Sequence, residues 1–193
     1  MKANGIRDVT KALQARLEHA LASSGITGVV FVGPLDDPDA SGASLILFLY
    51  RIAPNASLRN TEHRVPTGGT PPVELYKNSL PLDLYFLVTV GTTAGPSEAD
   101  QLGPLGFVLQ ELQSEPELIG VAVGHETVRV SLEPLSTEEA SRIWALFPTA
   151  NYRTSIAYLA TPVWIDPPRP DAIAARVIED DRRAAQRPIP VAQ

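Results

Sequence analysis

The sequence contains no cysteine, so disulfides, thiolate metal sites and a cysteine nucleophile are all excluded. It also lacks any stretch that approaches the roughly 18 apolar residues of a membrane span. The first ten residues have no apolar run of the length that a signal peptide requires. We therefore predict a soluble cytoplasmic protein that does not act at a membrane.

Positive charge is scarce, with 16 Lys and Arg against 22 Asp and Glu and a formal net charge of -6. Because non-specific phosphate binding needs a basic surface, nucleic acid is excluded as a partner of the main body. The charge is also uneven. Residues 1–166 hold 11 basic and 18 acidic side chains (net -7), whereas residues 167–193 hold five and four (net +1). The C-terminal segment is thus suited to docking on an acidic neighbour.

Three segments have the apolar spacing of amphipathic helices. The stripe of the first helix consists of Ile6, Val9, Leu13, Leu17 and Leu21. Gly25 ends that helix. The stripe of the second consists of Leu102, Leu105, Leu109 and Leu112. Ser97 caps it, and Gly103 marks either a kink or the true start. The third is capped by Ser136 or Thr137 and buries Ile143, Trp144 and Phe147.

Strands are predicted for residues 29–32, 44–52, 80–90, 126–132 and 152–165. Pro162 lies inside the last of these, which predicts an edge position or a bulge near its end. Residues 55–79 are rich in Pro and Gly and are predicted to be one long irregular loop.

These elements predict an α+β fold, a mixed β-sheet flanked by helices, in a single domain over residues 1–166. Residues 167–193 begin with Pro167-Pro168-Arg169-Pro170 and continue with Ala and charged residues. That composition predicts a C-terminal arm or disordered tail, with a short helix at residues 173–185.

No motif in the chain predicts catalysis. The three histidines, His19, His63 and His125, have no metal-ligand spacing, and we place the last two in loops. The acidic group of Asp36, Asp37 and Asp39 lacks the rest of a calcium loop. Asp83 lies in an apolar strand, where it is either a buried acid of raised pKa or a solvent-facing or arginine-paired carboxylate. We predict no catalytic residue, no cofactor and no metal.

Four segments, taken in order, resemble one protein family. LYRIAPNASLRN at residues 49–60 is a match over twelve positions and is the most specific. The others are LPLDLYFLVT at residues 80–89, LQELQSEPEL at residues 109–118, and residues 128–147 with YRTSIAY at residues 152–158. They resemble the cap or tail-terminator proteins of extracellular contractile injection systems, of the Photorhabdus virulence cassette and antifeeding prophage types. The N-terminal domain of that family was long described only as a domain of unknown function. The resemblance covers approximately residues 4–166.

The resemblance implies a tail-terminator-like fold and a structural role without enzymatic activity. It implies a ring, expected to be a hexamer, that closes the end of the tube and sheath of a phage-tail-like particle. The expected partners are therefore tube subunits, sheath subunits and further copies of this chain. The particle would be assembled in the cytoplasm and then released.

Six residues in the resembling segments are the candidate interface residues: Arg51, Asn55, Arg59, Asn60, Tyr152 and Arg153. Arginine forks bind carboxylates and carbonyls of a neighbour, and Asn55 is suited to hydrogen-bond its own backbone in a turn. The alternative is that the arginines only anchor the following loop to its own body. Two other functions stay open, namely an adaptor or baseplate-type module of the same particle and a small ligand-binding or hydrolase domain.

Overall fold

A computed structural model describes residues 3–66, 73–92 and 97–174. The helices in these ranges are α1 (Gly5–Ser23), α2 (Glu98–Gln101), α3 (Gly103–Ser114) and α4 (Thr137–Trp144). The strands are β1 (Val30–Val32), β2 (Leu45–Pro54), β3 (His63–Pro66), β4 (Val73–Tyr76), β5 (Leu80–Val90), β6 (Glu117–Ile119), β7 (Thr127–Leu132), β8 (Ser155–Ile165) and β9 (Ala172–Ala174). None of the described helices combines the length and the apolar character needed to cross a bilayer.

Six strands form the main sheet in the order β1-β2-β5-β8-β7-β6. β1 runs parallel to β2, and the other neighbours are antiparallel. The long apolar strands β2, β5 and β8 lie in its interior, where both faces are covered over part of their length. The predicted α+β fold, with a mixed sheet flanked by helices, is confirmed.

One face of the main sheet packs against α1 and α3 and forms the larger core. α1 contributes Val9, Leu13, Leu17 and Leu21, all 0% exposed. The same core contains alternate residues of β5, namely Leu82, Leu84, Phe86 and Val88. Burial of such a side chain stabilises the fold by about 1.5–3 kcal/mol, so this stripe fixes the position of α1.

The opposite face is covered over only part of its area, by α4 and by residues 34–43. Phe48 of β2 meets Phe147 edge to face, with ring centroids 5.1 Å apart. α4 begins with a capping box in which Ser136 accepts from the N–H of Glu139 and Glu139 accepts from that of Ser136. Ser136, and not Thr137, is therefore the N-cap.

Side chains of α1 protect both edges of the main sheet. Gln14 Nε2 donates to the carbonyl of Val30 in β1 at 2.8 Å. Arg16 donates to the carbonyls of Glu115 and Glu117 beside β6, at 3.2 and 3.5 Å. Because unpaired groups on an edge strand invite pairing with another chain, short and occupied edges disfavour strand addition at these two positions.

The prediction of one irregular loop over residues 55–79 is wrong, because this segment contains β3 and β4. These strands pair with each other and with β9 in a small three-stranded antiparallel sheet, in the order β3-β4-β9. Four-residue strands next to Pro and Gly carry too little alternation to be recognised from sequence. β9 also contradicts the start of the helix predicted at residues 173–185, and the rest of that prediction lies outside the described residues.

Two local predictions are resolved by neighbouring elements. Pro162 lies opposite a register shift in the pairing with β5, so the bulge is confirmed. β8 lies between β5 and β7, but its described pairing with β7 ends at Thr161, so Pro162 stands where β8 pairs with β5 alone. The second predicted helix is split into α2 and α3 at Gly103, so the true start is confirmed there. Leu102 falls at the break and is 42% exposed, which makes its predicted burial wrong.

Candidate functional site

Four polar side chains from distant parts of the chain meet in a buried group, the His63 cluster, formed by His63, Ser79, Glu126 and Asp166. Nδ1 of His63 lies 2.6 Å from Oδ1 of Asp166, and Nε2 lies 3.4 Å from Oε2 of Glu126. Ser79 Oγ donates to the same Asp166 oxygen at 2.5 Å. The side chains of His63, Glu126 and Asp166 are 7%, 8% and 2% exposed, so these polar groups are shielded from water and need hydrogen-bond partners within the protein.

The members of the His63 cluster all lie at the ends of strands. His63 begins β3 and Asp166 directly follows β8, while Ser79 and Glu126 stand one residue before β5 and β7. The turn before Glu126 is tight, with His125 in the left-handed region at φ 63°. The cluster therefore joins the small sheet to the main sheet at the point where β8 ends.

Aromatic rings surround His63. Its imidazole stacks on the Trp164 ring, with centroids 4.3 Å apart and planes 9° from parallel. The ring of Tyr76, from β4, lies 6.4 Å away, and its hydroxyl donates to Glu74 at 2.7 Å. Since the face of an aromatic ring attracts a cation, the stack on Trp164 favours the protonated form of His63.

The carboxylates decide the charge state of the cluster. Burial opposes a charge on His63, but its hydrogen bonds to Asp166 and Glu126 outweigh burial and raise its pKa above the ordinary 6.5. Burial likewise acts to raise the pKa of Asp166, yet the hydrogen bonds from His63 and Ser79 prevail and lower it below 3.8. Between pH 3.8 and pH 6.5 both shifts favour the charged forms, and the two groups form an ion pair.

We tested the same residues as metal ligands, because one ligating atom from each of His63, Glu126 and Asp166 lies within 4.8 Å of the others. Two ligands of a tetrahedral ion with bonds near 2.1 Å are about 3.4 Å apart. The 2.6 Å between His63 Nδ1 and Asp166 Oδ1 is a hydrogen-bond distance and is too short for that arrangement. Carboxylates also face both ring nitrogens, which suits an imidazolium better than a metal ligand.

The His63 cluster also lacks the geometry of a nucleophile activated by a base. Ser79 Oγ donates to Asp166 and not to His63. The imidazole in turn is held between two carboxylates, so it has no nitrogen directed at the hydroxyl. The arrangement stabilises a charge and connects segments of the chain.

The predicted interface residues fall at opposite ends of the main sheet. Arg51, Asn55, Arg59 and Asn60 lie where β2 ends and in the turn that follows. The guanidinium of Arg51 lies 4.7 Å above the Tyr85 ring, and Arg51, Arg59 and Asn60 are exposed. Tyr152 and Arg153 precede β8, close to the far end of β5. The structure therefore does not bring the six residues into one patch.

Asn55 is held by its own chain. Its Nδ2 donates to Oδ1 of Asp83 at 2.9 Å and to the hydroxyl of Thr161 at 3.2 Å. Its Oδ1 accepts from the N–H of Leu58 at 3.1 Å, which confirms the predicted bond to its own backbone. Asp83 is half-buried and also accepts from Thr161, so its partners are an amide and a hydroxyl and not an arginine. These bonds fix the turn that carries Arg59 and Asn60.

Tyr152 borders a groove of about 390 Å³ between α4 and β8. Its ring packs against Trp144 with centroids 5.2 Å apart, yet 71% of the residue is exposed. Arg153 is half-buried and lines a neighbouring groove beside Asp36 and Asp37. A large exposed aromatic next to an arginine is typical of the anchors of protein interfaces, which keeps this end of the sheet a candidate surface.

Sequence reasoning missed the His63 cluster. We placed His63 in a loop, whereas it begins β3 and is buried. Its partner Asp166 lies 103 residues further along the chain, and no motif links such positions. The one local signal was a carboxylate directly after an apolar strand, which by itself does not identify a partner.

Comparison with known proteins gives matches to a family and to solved structures. A family model of the Pvc16 N-terminal domain matches residues 8–179. The fold is similar to that of the PVC sheath/tube terminator of an extracellular contractile injection system in the extended state, with 19% identity and a TM-score of 0.59 over 97% of this chain and 65% of that chain. It is also similar to the tube-terminating cap of the anti-feeding prophage, with 19% identity and a TM-score of 0.59 over 91% of this chain and 60% of that chain.

This chain spans less than two thirds of the length of either terminator, and at 19% identity the likeness shows a shared fold. No curated protein sequence matches. The family match shows more than a shared fold, because it covers most of the chain and extends past Asp166 into the arm. The chain belongs to the Pvc16 N-terminal domain family.

Proposed function

We propose that this chain is a structural cap that closes the end of the tube and sheath of a phage-tail-like contractile injection particle. The family match over residues 8–179 is the observation that carries the proposal. The fold shared with two terminators of such particles supports it. The chain works as a ring, expected to be a hexamer, with contacts between copies and contacts with the last tube and sheath subunits.

The polar residues support a binding role without catalysis or a cofactor. The hydrolase alternative required Asp83 and a histidine in one deep pocket. Asp83 instead bonds to Asn55 and Thr161, and His63 bonds to Asp166. A ring of identical subunits needs surfaces that fit one another around a symmetry axis, and no reactive group.

Arginine side chains at the end of β2 supply one such surface. Arg51 and Arg59 are exposed on a turn that Asn55 holds rigid, and Arg59 forms no ion pair within residues 3–66, 73–92 and 97–174. Residues 1–166 carry a net charge of -7, so a neighbouring copy offers carboxylates to these guanidinium groups. Because both edges of the main sheet are occupied by α1 side chains, side-chain contacts suit the ring better than strand addition there.

The arm supplies a second surface. The Pro-rich spacer after Asp166 leads to β9, which pairs with β4 in the small sheet. Residues 172–174 of the arm therefore lie in this chain's own small sheet, close to the His63 cluster. Docking of the arm on an adjacent subunit is our proposal for its role.

Removal of the gene in the producing cell tests the cap. We expect particles of irregular length with open ends in electron micrographs, because growth of the tube and sheath then has no terminator. Particles of normal length with closed ends would contradict the proposal. Labelled protein at the baseplate end would instead identify the adaptor alternative.

Complementation of the gene deletion with variant chains tests the two proposed surfaces one at a time. A chain that ends at Ala174 keeps Asp166 and the pairing of β9 with β4 in place, so it removes only the rest of the arm. We expect that chain, and the double variant Arg51→Glu with Arg59→Glu, to cap fewer than half of the particles that the full chain caps. Lys11→Glu, an exposed charge reversal on α1, is the matched control and should cap normally. Normal capping by either test variant would remove that surface from the proposal.

A further inference from the structure

The start of β8 has an open edge, although β8 lies in the interior of the main sheet. β8 pairs with β5 from its first residue to its last, but its ladder with β7 includes nothing before Tyr158. One further bond joins the N–H of Glu133 to the carbonyl of Ala157 at 2.9 Å, after which the chain turns away into α4. Of the described strands, none pairs with Ser155 on the side that β7 has left.

The backbone of Ser155 is directed at this open side. Successive residues of an antiparallel strand direct their N–H and C=O groups to alternate sides. The carbonyl of Ala157 faces the β7 side, because it accepts from Glu133. The carbonyl of Thr154 faces β5, because it accepts from the N–H of Val90 at 3.3 Å. Ser155, two residues before Ala157, therefore directs its N–H and its carbonyl away from β5.

The open edge borders the groove of about 390 Å³ beside α4, which we call the α4–β8 groove. Residues 155–157 all line it, although successive side chains of a strand point to opposite faces of the sheet. The edge of the strand itself therefore faces the groove. α4 contributes Ala140 and Trp144, and Tyr152 adds an exposed ring. A groove between a helix and a free strand edge suits an extended peptide that adds as a strand.

One segment of this chain has the chemistry that fits the α4–β8 groove. Residues 182–193 lie outside the described part of the structure and have the sequence RRAAQRPIPVAQ. Their charged side chains are three arginines, whereas the charged group among the described residues that line the groove is the carboxylate of Glu133. Ile189 and Val191 add β-branched apolar side chains, which favour a strand and suit the wall formed by Trp144.

The two prolines of this segment allow strand addition in one orientation. Because proline has no N–H, within a sheet it is confined to positions that face away from a neighbouring strand. Pro188 and Pro190 are two residues apart, so in an extended chain they face the same side. When that side is solvent, the backbone groups of Ile189 and Val191 face β8. The missing N–H groups on the outer side also disfavour addition of a further strand.

We propose that residues 182–193 of one copy add as a strand to β8 of the adjacent copy, in the α4–β8 groove. The backbone of Ile189 and Val191 bonds to the open edge at Ser155, and their side chains pack beside α4. The arginines supply charge complementary to Glu133. This inference rests on the proposed docking of the arm between subunits and names the site that receives it.

The adjacent copy is the partner because the arm and the groove lie at opposite ends of β8. β9 belongs to the small sheet, which contacts the main sheet beside Asp166, whereas the groove lies at Ser155. The two ends of β8 are about 33 Å apart. A flexible peptide of the length of residues 175–187 spans on average about 20–25 Å. A contact between opposite ends of neighbouring copies is also the kind that closes a ring.

A peptide of residues 182–193 tests the groove. The full chain with Ile189→Asp and Val191→Asp leaves the groove free for this peptide. In NMR spectra we expect the peptide to shift the indole N–H signal of Trp144. At saturation the Ser155 amide should exchange about two- to ten-fold more slowly, as expected for one added hydrogen bond. Trp164 is the internal control and should not shift, because it stacks on His63 at the other end of β8.

Two matched controls separate strand addition from general apolar contact. A peptide in which Ile189 and Pro190 exchange places has the same composition, but it turns a proline nitrogen toward β8 and should bind about ten-fold more weakly. Ser141→Arg, at an exposed position that lines the groove, should weaken binding of the original peptide by a similar factor. Equal binding of the two peptides, a shift of Trp164 in place of Trp144, or no shift at about 1 mM peptide would overturn the proposal.

Dilution of the unmodified chain identifies which copy supplies the arm. We expect the Trp144 signal to approach the peptide-bound position as the protein concentration rises and to return on dilution. The chain with Ile189→Asp and Val191→Asp should keep the free position throughout. A bound position that persists on dilution would mean that the arm fills its own groove, and a free position at every concentration would mean that it fills none. Either result would overturn the contact between copies, whereas the gene-deletion experiment tests the cap separately.

Discussion

Asp166→Ala is expected to lower the free energy of unfolding at pH 6 by about 3–5 kcal/mol. The carboxylate of Asp166 is 2% exposed and accepts from both His63 and Ser79. Its removal leaves an imidazolium in a buried site with one distant partner, Glu126, and leaves the Ser79 hydroxyl without this acceptor. Breaking one side of a buried ion pair is costly because the remaining charge has lost both its partner and its water.

Urea denaturation at pH 6 measures this loss. Glu138→Ala is the matched control, because it also removes one carboxylate from an ion pair, here with Arg142 at 2.6 Å, but the side chain is 75% exposed. That control should cost about 0.3–0.5 kcal/mol. In a double-mutant cycle with His63→Gln, the coupling energy should reach about 2 kcal/mol. Equal losses for Asp166→Ala and Glu138→Ala would mean that the buried ion pair does not exist.

Elements that repeat a local pattern along the chain could be predicted from the sequence. α1, β2, β5 and α4 repeat a local pattern over many residues, so a stripe, an apolar run or a capping box identifies each one. Pro162 required either an edge or a bulge, and the sequence alone could not decide because the neighbours of β8 are set by the whole sheet. Leu102 fits a helical stripe by spacing, but the break at Gly103 rotates it out of the core.

The His63 cluster could not be predicted, for a different reason. Its four members come from four strand ends. Their burial is stabilised by hydrogen bonds that exist only in the folded state. No residue among them is unusual in its own segment: one polar side chain at a strand end is an ordinary surface group. The small sheet was missed with it, because β3, β4 and β9 are short and depend on pairing between segments far apart in the chain.

Gly91→Ala is the second substitution with a large expected effect. Gly91 follows β5 and its N–H donates to the carbonyl of Ser44 at 2.8 Å, next to the pair formed by Leu45 and Val90. A Cβ at Gly91 would lie 1.9 Å from the carbonyl oxygen of Ala43. That oxygen belongs to the backbone and cannot rotate away, so β2 and β5 would have to separate at this end. We expect a loss of about 3 kcal/mol or more in the free energy of unfolding.

Gly106→Ala is the control for that substitution. Gly106 lies within α3, and a Cβ there would meet no atom within 4 Å. Because alanine restricts the unfolded chain and suits a helix, this change should stabilise the protein by about 0.5–1 kcal/mol. Guanidinium denaturation of the two variants should therefore move the midpoint in opposite directions. A Gly91→Ala midpoint equal to that of the unchanged chain would contradict the close approach of β2 to the end of β5.

Gly91→Ala also serves the capping experiment, where it separates a loss of folding from a loss of contact with a neighbouring subunit. Gly91→Ala changes no exposed side chain, but it weakens the main sheet that positions Arg51 and Tyr152. We therefore expect this variant to lose both its free energy of unfolding and its ability to cap particles. Arg51→Glu with Arg59→Glu should instead fail to cap while its denaturation midpoint stays close to that of the unchanged chain, because both side chains are exposed. If the charge-reversal protein lost stability as Gly91→Ala does, the arginines would be anchors of their own turn and not groups that bind a neighbour.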